Sequence, residues 1–92
     1  MASITVLPIM QGHDYPTAGS VLYGIIMERI DSEDRIILDM SGVSLIPSMF
    51  LNTSIGRIIR EKGVGFVKSK FGFSHIKVSD ANRIRDYVKR FE

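Results

Sequence analysis

The chain offers few side chains in arrangements that could do chemistry. His13 and His75 lie in different predicted elements, and neither has a second histidine at the short spacing that a metal site needs. No phosphate-binding GxxxxGK[ST] loop, HExxH pair or GxSxG nucleophile elbow is present. The absence of cysteine excludes disulfides, thiolate catalysis and zinc–cysteine sites. We therefore predict that the protein is not an enzyme and that it uses no metal and no cofactor.

Asp39 and Ser48 lie in the stretch with the most specific pattern. Asp39 closes the aliphatic run 36–38, and Ser41-Gly42 follows it. A carboxylate in this place accepts hydrogen bonds from the backbone of the next turn, so Asp39, Ser41 and Gly42 are predicted to form a structural turn. A phosphoacceptor aspartate of the receiver type would need an acidic pair after the first strand, where the chain has residues 10–12, Met-Gln-Gly. Ser48 follows Pro47 and is predicted to cap a helix.

The elements that must position these residues follow the order βαβαβα. We predict strands at 2–9, ending at or near Pro8, at 35–40 and at 71–78, helices at 17–30 and 48–62, and a last helix from 79. Thr17 or Ser20 is predicted to cap the first helix, Gly63 to end the second, and residues 64–70 to form a connector or a short turn of helix. Connections of helix length between strands imply parallel pairing. Strand 35–40 is apolar throughout 36–38, which predicts a central strand covered on both faces. Because the chain is short for a two-sided sheet, either its helices divide between the faces or a partner chain completes one of them. The predicted fold is a small single α/β domain over residues 1–92.

Helix 48–62 divides into two faces. Its core face has four aliphatic residues at helical spacing: Leu51, Ile55, Ile58 and Ile59. The opposite side of the helical wheel carries large apolar side chains beside polar ones: Met49, Phe50, Thr53, Arg57 and Arg60. We predict that this side binds a partner, because exposed large apolar groups tend to mark contacts. The alternative is that Phe50 packs beneath the loop at Ile46 and Pro47.

The segment LDMSGVSLIPSMFLNTSIGRII resembles the centre of a STAS domain, the fold of bacterial anti-sigma factor antagonists. In that family a strand ending in aspartate and a serine-glycine turn lead to a serine at a helix start, and a partner kinase phosphorylates that serine. Ser48 is the residue that matches it. The chain departs from the antagonists at Pro47, where they carry an acid. The resemblance to the uncharacterised STAS-like family is closer, over residues 17–63, and rests on Gly19, Phe50, Leu51, Asn52 and Gly56.

The resemblance implies a bacterial, non-enzymatic regulatory module, and the lack of cysteine makes the cytoplasm its expected compartment. Its partner would be a histidine-kinase-like ATPase or another signalling protein, with Ser48 as the candidate phosphoacceptor, and a homodimer stays open. An alternative function is a small-ligand or nucleotide-binding domain, because some STAS domains bind nucleotides.

Nucleic-acid binding through the basic last helix is a second alternative. We do not favour it, because the net charge of +2 is small for that class. No apolar run approaches the roughly 20 residues of a membrane span. The N-terminus also lacks the basic start of a signal peptide, so we expect no membrane association.

Overall fold

A three-stranded parallel sheet forms the centre of the computed structural model, which describes residues 2–92. In chain order the elements are β1 (Ala2–Thr5), α1 (Leu7–Gln11), α2 (Tyr15–Arg29), β2 (Ile36–Asp39), α3 (Ser48–Thr53), α4 (Ile55–Lys62), α5 (Val64–Lys70), β3 (Phe71–Ser74) and α6 (Val78–Lys89). The strand order is β1-β2-β3, and Ile4, Leu38 and Phe73 lie side by side in the register. The predicted parallel sheet with its central second strand is confirmed.

The helices cover only one face of this sheet. Alternate strand residues point into the core: Ala2, Ile4, Ile36, Leu38 and Phe71 are buried. On the other face Ser3 and Thr5 are exposed, and Ile37 is half-buried. The alternative in which helices cover both faces of β2 is therefore wrong, whereas coverage of the second face by a partner chain stays a prediction. Ile37 is half-buried because its side chain and that of Arg35 lie over Gly72 of the neighbouring strand. A Cβ added at Gly72 would come within 2.9 Å of Ile37 Cδ1 and of Arg35 Nη2.

Several element boundaries differ from the prediction because local side chains decide them. β1 ends at Thr5, and Pro8 lies in the first turn of α1, where its missing N–H costs nothing. The cap of α2 is Asp14, whose carboxylate accepts a hydrogen bond of 2.9 Å from Thr17 N, so the predicted caps Thr17 and Ser20 are wrong. β3 ends at Ser74, and α6 begins at Val78. Residues 64–70, predicted as a connector or a short turn of helix, form a helix of seven residues.

The predicted helix 48–62 is broken at Ser54, which has φ −117° and ψ −97°. The Ser54 hydroxyl donates to the Phe50 carbonyl at 2.8 Å, in the place where its own backbone N–H would bond in a regular helix. That N–H bonds to the Leu51 carbonyl at 3.2 Å instead. Serine bonding back to the preceding turn bends helices. The break divides the predicted helix into α3 and α4, so residues 48–53 and 55–62 do not share one regular helix.

Candidate interaction site

The loop after β2 begins with a turn built on the Asp39 carboxylate. Asp39 Oδ1 accepts hydrogen bonds from Ser41 N at 3.0 Å and from Ser41 Oγ at 2.7 Å, as an Asx turn does. Gly42 has φ +78°, a conformation that favours glycine, and a side chain there would come within 2.8 Å of Leu7 Cδ2. The bonds from Ser41 are the main cause that lowers the pKa of Asp39, and His75, with Nδ1 at 3.1 Å, adds to it.

This cluster of serine, aspartate and histidine is not arranged for nucleophilic catalysis. The Ser41 hydroxyl and the His75 ring both bond to Asp39, so the histidine holds no proton-accepting contact with the serine. Activation of a serine needs that contact. Residues 2–92 also bring together no group of three or more metal-ligating side chains. Asp39, Ser41 and Gly42 thus shape the loop that follows them.

Asp80 holds the far side of the same loop. It lies in the first turn of α6, is only 1% exposed, and accepts a hydrogen bond of 3.1 Å from Ile46 N. Within residues 2–92 its second oxygen has no hydrogen-bond partner. Ile46 is fully buried beside it, whereas Leu45 has φ +57° and is 72% exposed. Asp80 was not predicted as a site residue, although an acid in the first turn of a predicted helix was the available signal.

Ser48 is the exposed first residue of α3, but it does not cap that helix. The capping position is occupied by Pro47, and no side chain there bonds to the free backbone N–H groups. Within the part of the chain that the structure describes, the Ser48 hydroxyl makes no hydrogen bond to protein. The predicted capping role is therefore wrong. Because α3 has only six residues, its dipole attracts an anion weakly.

The predicted partner-binding face is divided by the break at Ser54. Met49 is 56% exposed, as predicted for a surface residue. Phe50 is 2% exposed and packs in the core with Ile46, so its assignment to the partner surface is wrong. Thr53 is half-buried and donates to the Pro16 carbonyl at 2.8 Å, so its assignment to a free surface is wrong as well. The single helical wheel failed because residues 49–53 and 55–62 belong to two helices.

The two predicted arginines are exposed, but each has an intramolecular contact. The Arg57 guanidinium lies 3.9 Å from the centre of the Tyr23 ring and pairs with Glu61 at 3.5 Å. Arg60 Nη2 donates to the Asn52 carbonyl at 2.9 Å. Tyr23 also donates to Glu61, which raises the pKa of Tyr23 and lowers that of Glu61. These contacts hold α4 against α2 and α3 and leave Met49 as the free apolar member of the predicted face.

A comparison with known protein families gives one match. Residues 18–82 match a STAS-like domain of unknown function (DUF4325). The chain belongs to this STAS-like family. No curated protein and no solved structure matches it. None of the helices within residues 2–92 has both the length and the apolar character to cross a membrane.

Two glycines of the STAS-like pattern lie where neighbouring elements approach closely. A side chain at Gly19, in α2, would overlap the Thr53 hydroxyl and lie 2.5 Å from the Phe50 carbonyl. A side chain at Gly56, in α4, would overlap the Tyr87 hydroxyl of α6. The Tyr87 hydroxyl in turn donates to Asn52 Oδ1 at 2.6 Å. These glycines therefore set the seating of α3 on α2 and of α6 on α4.

The exposed large apolar side chains of the STAS-like domain gather at one end of it. Over residues 2–92 they are Tyr15, Leu45, Met49 and Val78, which we call the apolar rim. Each lies at the start of a helix or in the loop before it, and in a parallel sheet these segments meet at the carboxyl ends of the strands. Two hydrogen bonds join the segments, from Ile46 N to Asp80 and from Thr53 to the Pro16 carbonyl. Ser48 lies within the rim, next to Met49.

Proposed function

We propose that this STAS-like domain is a non-enzymatic regulatory module that binds a protein partner on the apolar rim. The observation that carries the proposal is the exposure of Tyr15, Leu45, Met49 and Val78, which ranges from 48% to 77%, at one end of the sheet. Contiguous exposed apolar surface tends to mark protein contacts. Methionine and aromatic side chains are also enriched in such contacts.

The backbone of the loop adds to this argument. Leu45 has a positive φ, a conformation that costs a non-glycine residue roughly 1–2 kcal/mol. The structure around it maintains this conformation, because Ile46 is anchored in the core and bonded to Asp80. The result is a leucine held out towards solvent, and backbone strain of this kind is found mainly at functional sites.

Ser48 is the proposed control point of the rim. Its hydroxyl is exposed and makes no hydrogen bond to the described protein atoms, so a partner kinase could reach it without breaking a contact of the fold. A phosphate would place about −1.5 to −2 charges beside Met49 and would oppose docking of an apolar partner surface there. By resemblance to the antagonists, the kinase would be a histidine-kinase-like ATPase. Phosphorylation would then release or exchange the partner.

The docking proposal is tested by affinity capture with the purified 92-residue chain. We expect Leu45→Asp and Met49→Asp to lose the same captured protein, since each places a charge in the apolar rim. Gly65→Asp is the matched control, because Gly65 is exposed, is not a member of the apolar rim, and leaves free space around a new Cβ. Equal capture by all three variants would refute docking on the rim.

The proposal that Ser48 is phosphorylated is tested by incubating the chain with the captured partner and ATP and by measuring its intact mass. We expect one added phosphate on the wild type and none on Ser48→Ala. Ser44→Ala is the control, since Ser44 is an exposed serine of the same loop and should leave the modification unchanged. Ser48→Asp should weaken capture, whereas Ser44→Asp should not. Phosphate on another residue, or equal capture by Ser48→Asp and wild type, would contradict the proposal.

A further inference from the structure

A half-open cavity of about 470 Å³ lies between α6 and the β3 side of the domain. Ligand sites in proteins have volumes of about 300–1,000 Å³. Its walls are contributed by α4, α5, β3 and α6 and consist of aliphatic and aromatic side chains: Ile55, Val67, Phe71, Phe73, Ile84 and Val88. No ligand-binding role follows from the apolar rim, so this cavity needs an explanation of its own.

Polar contacts attach α6 to the rest of the domain in its first turn, in its last turn and just beyond its end. Asp80 bonds to Ile46 N at one end, the Tyr87 hydroxyl bonds to Asn52, and Glu92, just beyond the helix, pairs with Lys68. Between these contacts the backbone of α6 makes no extended close approach to another element of residues 2–92. The apolar cavity therefore lies beneath α6, beside the polar contacts that attach this helix to the domain.

The charged side chains at the cavity favour an anion. Three cations, Lys68, Arg85 and Lys89, line it against one acid, Glu92, which Lys68 already pairs. Arg85 and Lys89 are four residues apart on α6 and therefore lie on the same face of the helix. Lys89 forms no ion pair with any other described residue, and Arg85 has only a neutral partner, Asn82 Oδ1, at 3.0 Å. Both cations remain free to meet a negatively charged group.

The lining also shows which ligands do not fit. It consists only of apolar and charged residues, and no neutral polar side chain takes part. Sugar hydroxyls and base nitrogens placed against the apolar walls would lose their hydrogen bonds to water, because the lining side chains that can replace these bonds are the four charged ones, Lys68, Arg85, Lys89 and Glu92. A long apolar body with a single anionic group has no such cost. The cavity therefore disfavours the nucleotide that the family resemblance allows.

We propose that the cavity binds a straight-chain alkyl carboxylate of the fatty-acid class. The alkyl chain would lie between α6 and β3, against Phe71, Phe73 and Val88, and the carboxylate would pair with Arg85 and Lys89. The inference is independent of the proposed function, because these residues are not members of the apolar rim. It gives the domain a second binding capacity, for a small amphiphile.

The first test is calorimetric titration of the full 92-residue chain with octanoate, decanoate and dodecanoate as monomers. We expect one site, and each methylene buried should tighten binding about fourfold, as transfer of a CH₂ from water predicts. Dodecyltrimethylammonium, with the same chain and the opposite charge, should bind more weakly than dodecanoate. Absence of dodecanoate binding, or equal binding of the two head groups, would overturn the proposal.

The second test places the ligand in the cavity. Ala81 lines it and is half-buried, so Ala81→Phe should fill the space and abolish dodecanoate binding while the melting temperature stays at or above that of wild type. Lys89→Gln should weaken binding about two- to fivefold, the range of an exposed ion pair. Arg83→Gln is the control, an exposed α6 arginine outside the lining, and should bind as wild type does.

Three results would overturn the proposal. Equal affinity of dodecanoate for Ala81→Phe and for wild type would show that the ligand binds outside the cavity. A dimer of the ligand-free chain that Ala81→Phe dissociates would assign the cavity to a second copy. Sedimentation of the chain with anionic vesicles, without binding of dodecanoate monomers, would assign the basic residues to a membrane surface. If Ala81→Phe fails to fold, the comparison of Lys89→Gln with Arg83→Gln decides alone, and equal affinities would reject the site.

Discussion

Among residues 2–92, the buried carboxylate of Asp80 has a single hydrogen-bond partner. Burial of a charge without full pairing is unfavourable. Two features offset the cost, because Asp80 lies in the first turn of α6, where the helix dipole favours a negative charge, and it satisfies the buried N–H of Ile46. The residue therefore couples the start of α6 to the loop that presents Leu45.

The substitution Asp80→Ala should destabilise the domain by about 1–3 kcal/mol, because it leaves the Ile46 N–H buried without a partner. Asp80→Asn retains an acceptor oxygen and should cost less. Asp86→Ala, an exposed position on the same helix, should change the free energy of unfolding by less than about 0.5 kcal/mol. Chemical denaturation measures all three. Equal losses of stability for Asp80→Ala and Asp80→Asn would show that the hydrogen bond from Ile46 N does not account for the contribution of Asp80.

Asp39 should make the stability of the domain depend on pH in the acid range. Its pKa in the folded state is lowered from 3.8, first by the bond from the Ser41 side chain. A lowered pKa contributes stability above the pKa of the unfolded chain, and that contribution is lost as pH falls through the folded pKa. The free energy of unfolding should therefore decrease between about pH 5 and pH 2, and less steeply in Asp39→Asn.

The matched control for Asp39 is Ser41→Ala, which removes the hydroxyl donor and keeps the carboxylate. An NMR titration of the Asp39 carboxyl should show its pKa rising towards 3.8 in this variant. Denaturation curves at several pH values give the stability. Parallel pH dependence in wild type and Asp39→Asn would argue that other carboxylates set the acid limit.

At the scale of the elements, the approach of α2 to α3 depends on Gly19. The variant Gly19→Ala should cost about 1–3 kcal/mol, because the new methyl group overlaps the Thr53 hydroxyl and the helices must separate. Gly24→Ala is the matched control in the same helix, with no atom within 4 Å of the new Cβ, and should stabilise the domain by up to about 1 kcal/mol. A gain of stability at both positions would mean that α2 and α3 do not pack closely.

The break between α3 and α4 predicts opposite behaviour for two adjacent residues. Phe50→Ala should cost about 3–5 kcal/mol, because it empties a core position that is 2% exposed. Met49→Ala should change stability by less than about 0.5 kcal/mol, because Met49 is 56% exposed. Thermal or chemical denaturation of the two variants separates them. A larger loss of stability in Met49→Ala than in Phe50→Ala would show that Phe50 lies on the surface and not in the core.

Hydrophobic patterns predicted the elements of this fold, but not the points where side chains interrupt them. The aliphatic run 36–38 identified the central strand, and the spacing of Leu51, Ile55, Ile58 and Ile59 identified core positions, all of which are buried. Gly63 was also predicted as the cap that ends helix 48–62, and with φ +98° it ends α4. The spacing of apolar residues continues across Ser54, however, so the sequence does not reveal the break between α3 and α4. It also did not reveal that Phe50 lies in the core.

The candidate site was less predictable than the fold, because it depends on contacts between residues far apart in the sequence. The turn at Asp39 is local and follows from the order aspartate, serine, glycine. The pairing of Ile46 with Asp80 joins residues 34 positions apart, and nothing near Ile46 indicates it. The apolar rim also needs the fold, since Tyr15 and Val78 become neighbours of the loop only when the strands lie parallel.

The molecule as a whole is a sheet with helices on one face, and the open face has the composition to remain in water. Ser3, Thr5, Asp39 and Ser74 occupy it together with one large apolar residue, Ile37. Antiparallel sheets commonly expose a face in this way, whereas parallel sheets are usually covered on both. Here the short strands and small polar side chains remove the need for a second layer. A protein partner is therefore better sought at the apolar rim than on this face.

One pair of substitutions tests the one-sided arrangement. Leu38→Ala should cost about 2–5 kcal/mol, because Leu38 is 1% exposed beneath the helices. Ile37→Ala should cost only about 1 kcal/mol, since this half-buried side chain gains part of the transfer free energy of full burial. Denaturant titration of both variants, at protein concentrations that differ widely, gives the two values. Equal losses at high concentration that diverge on dilution would mean that a second copy covers the open face and buries Ile37. A difference that does not depend on concentration would leave β2 covered by helices on the Leu38 side alone.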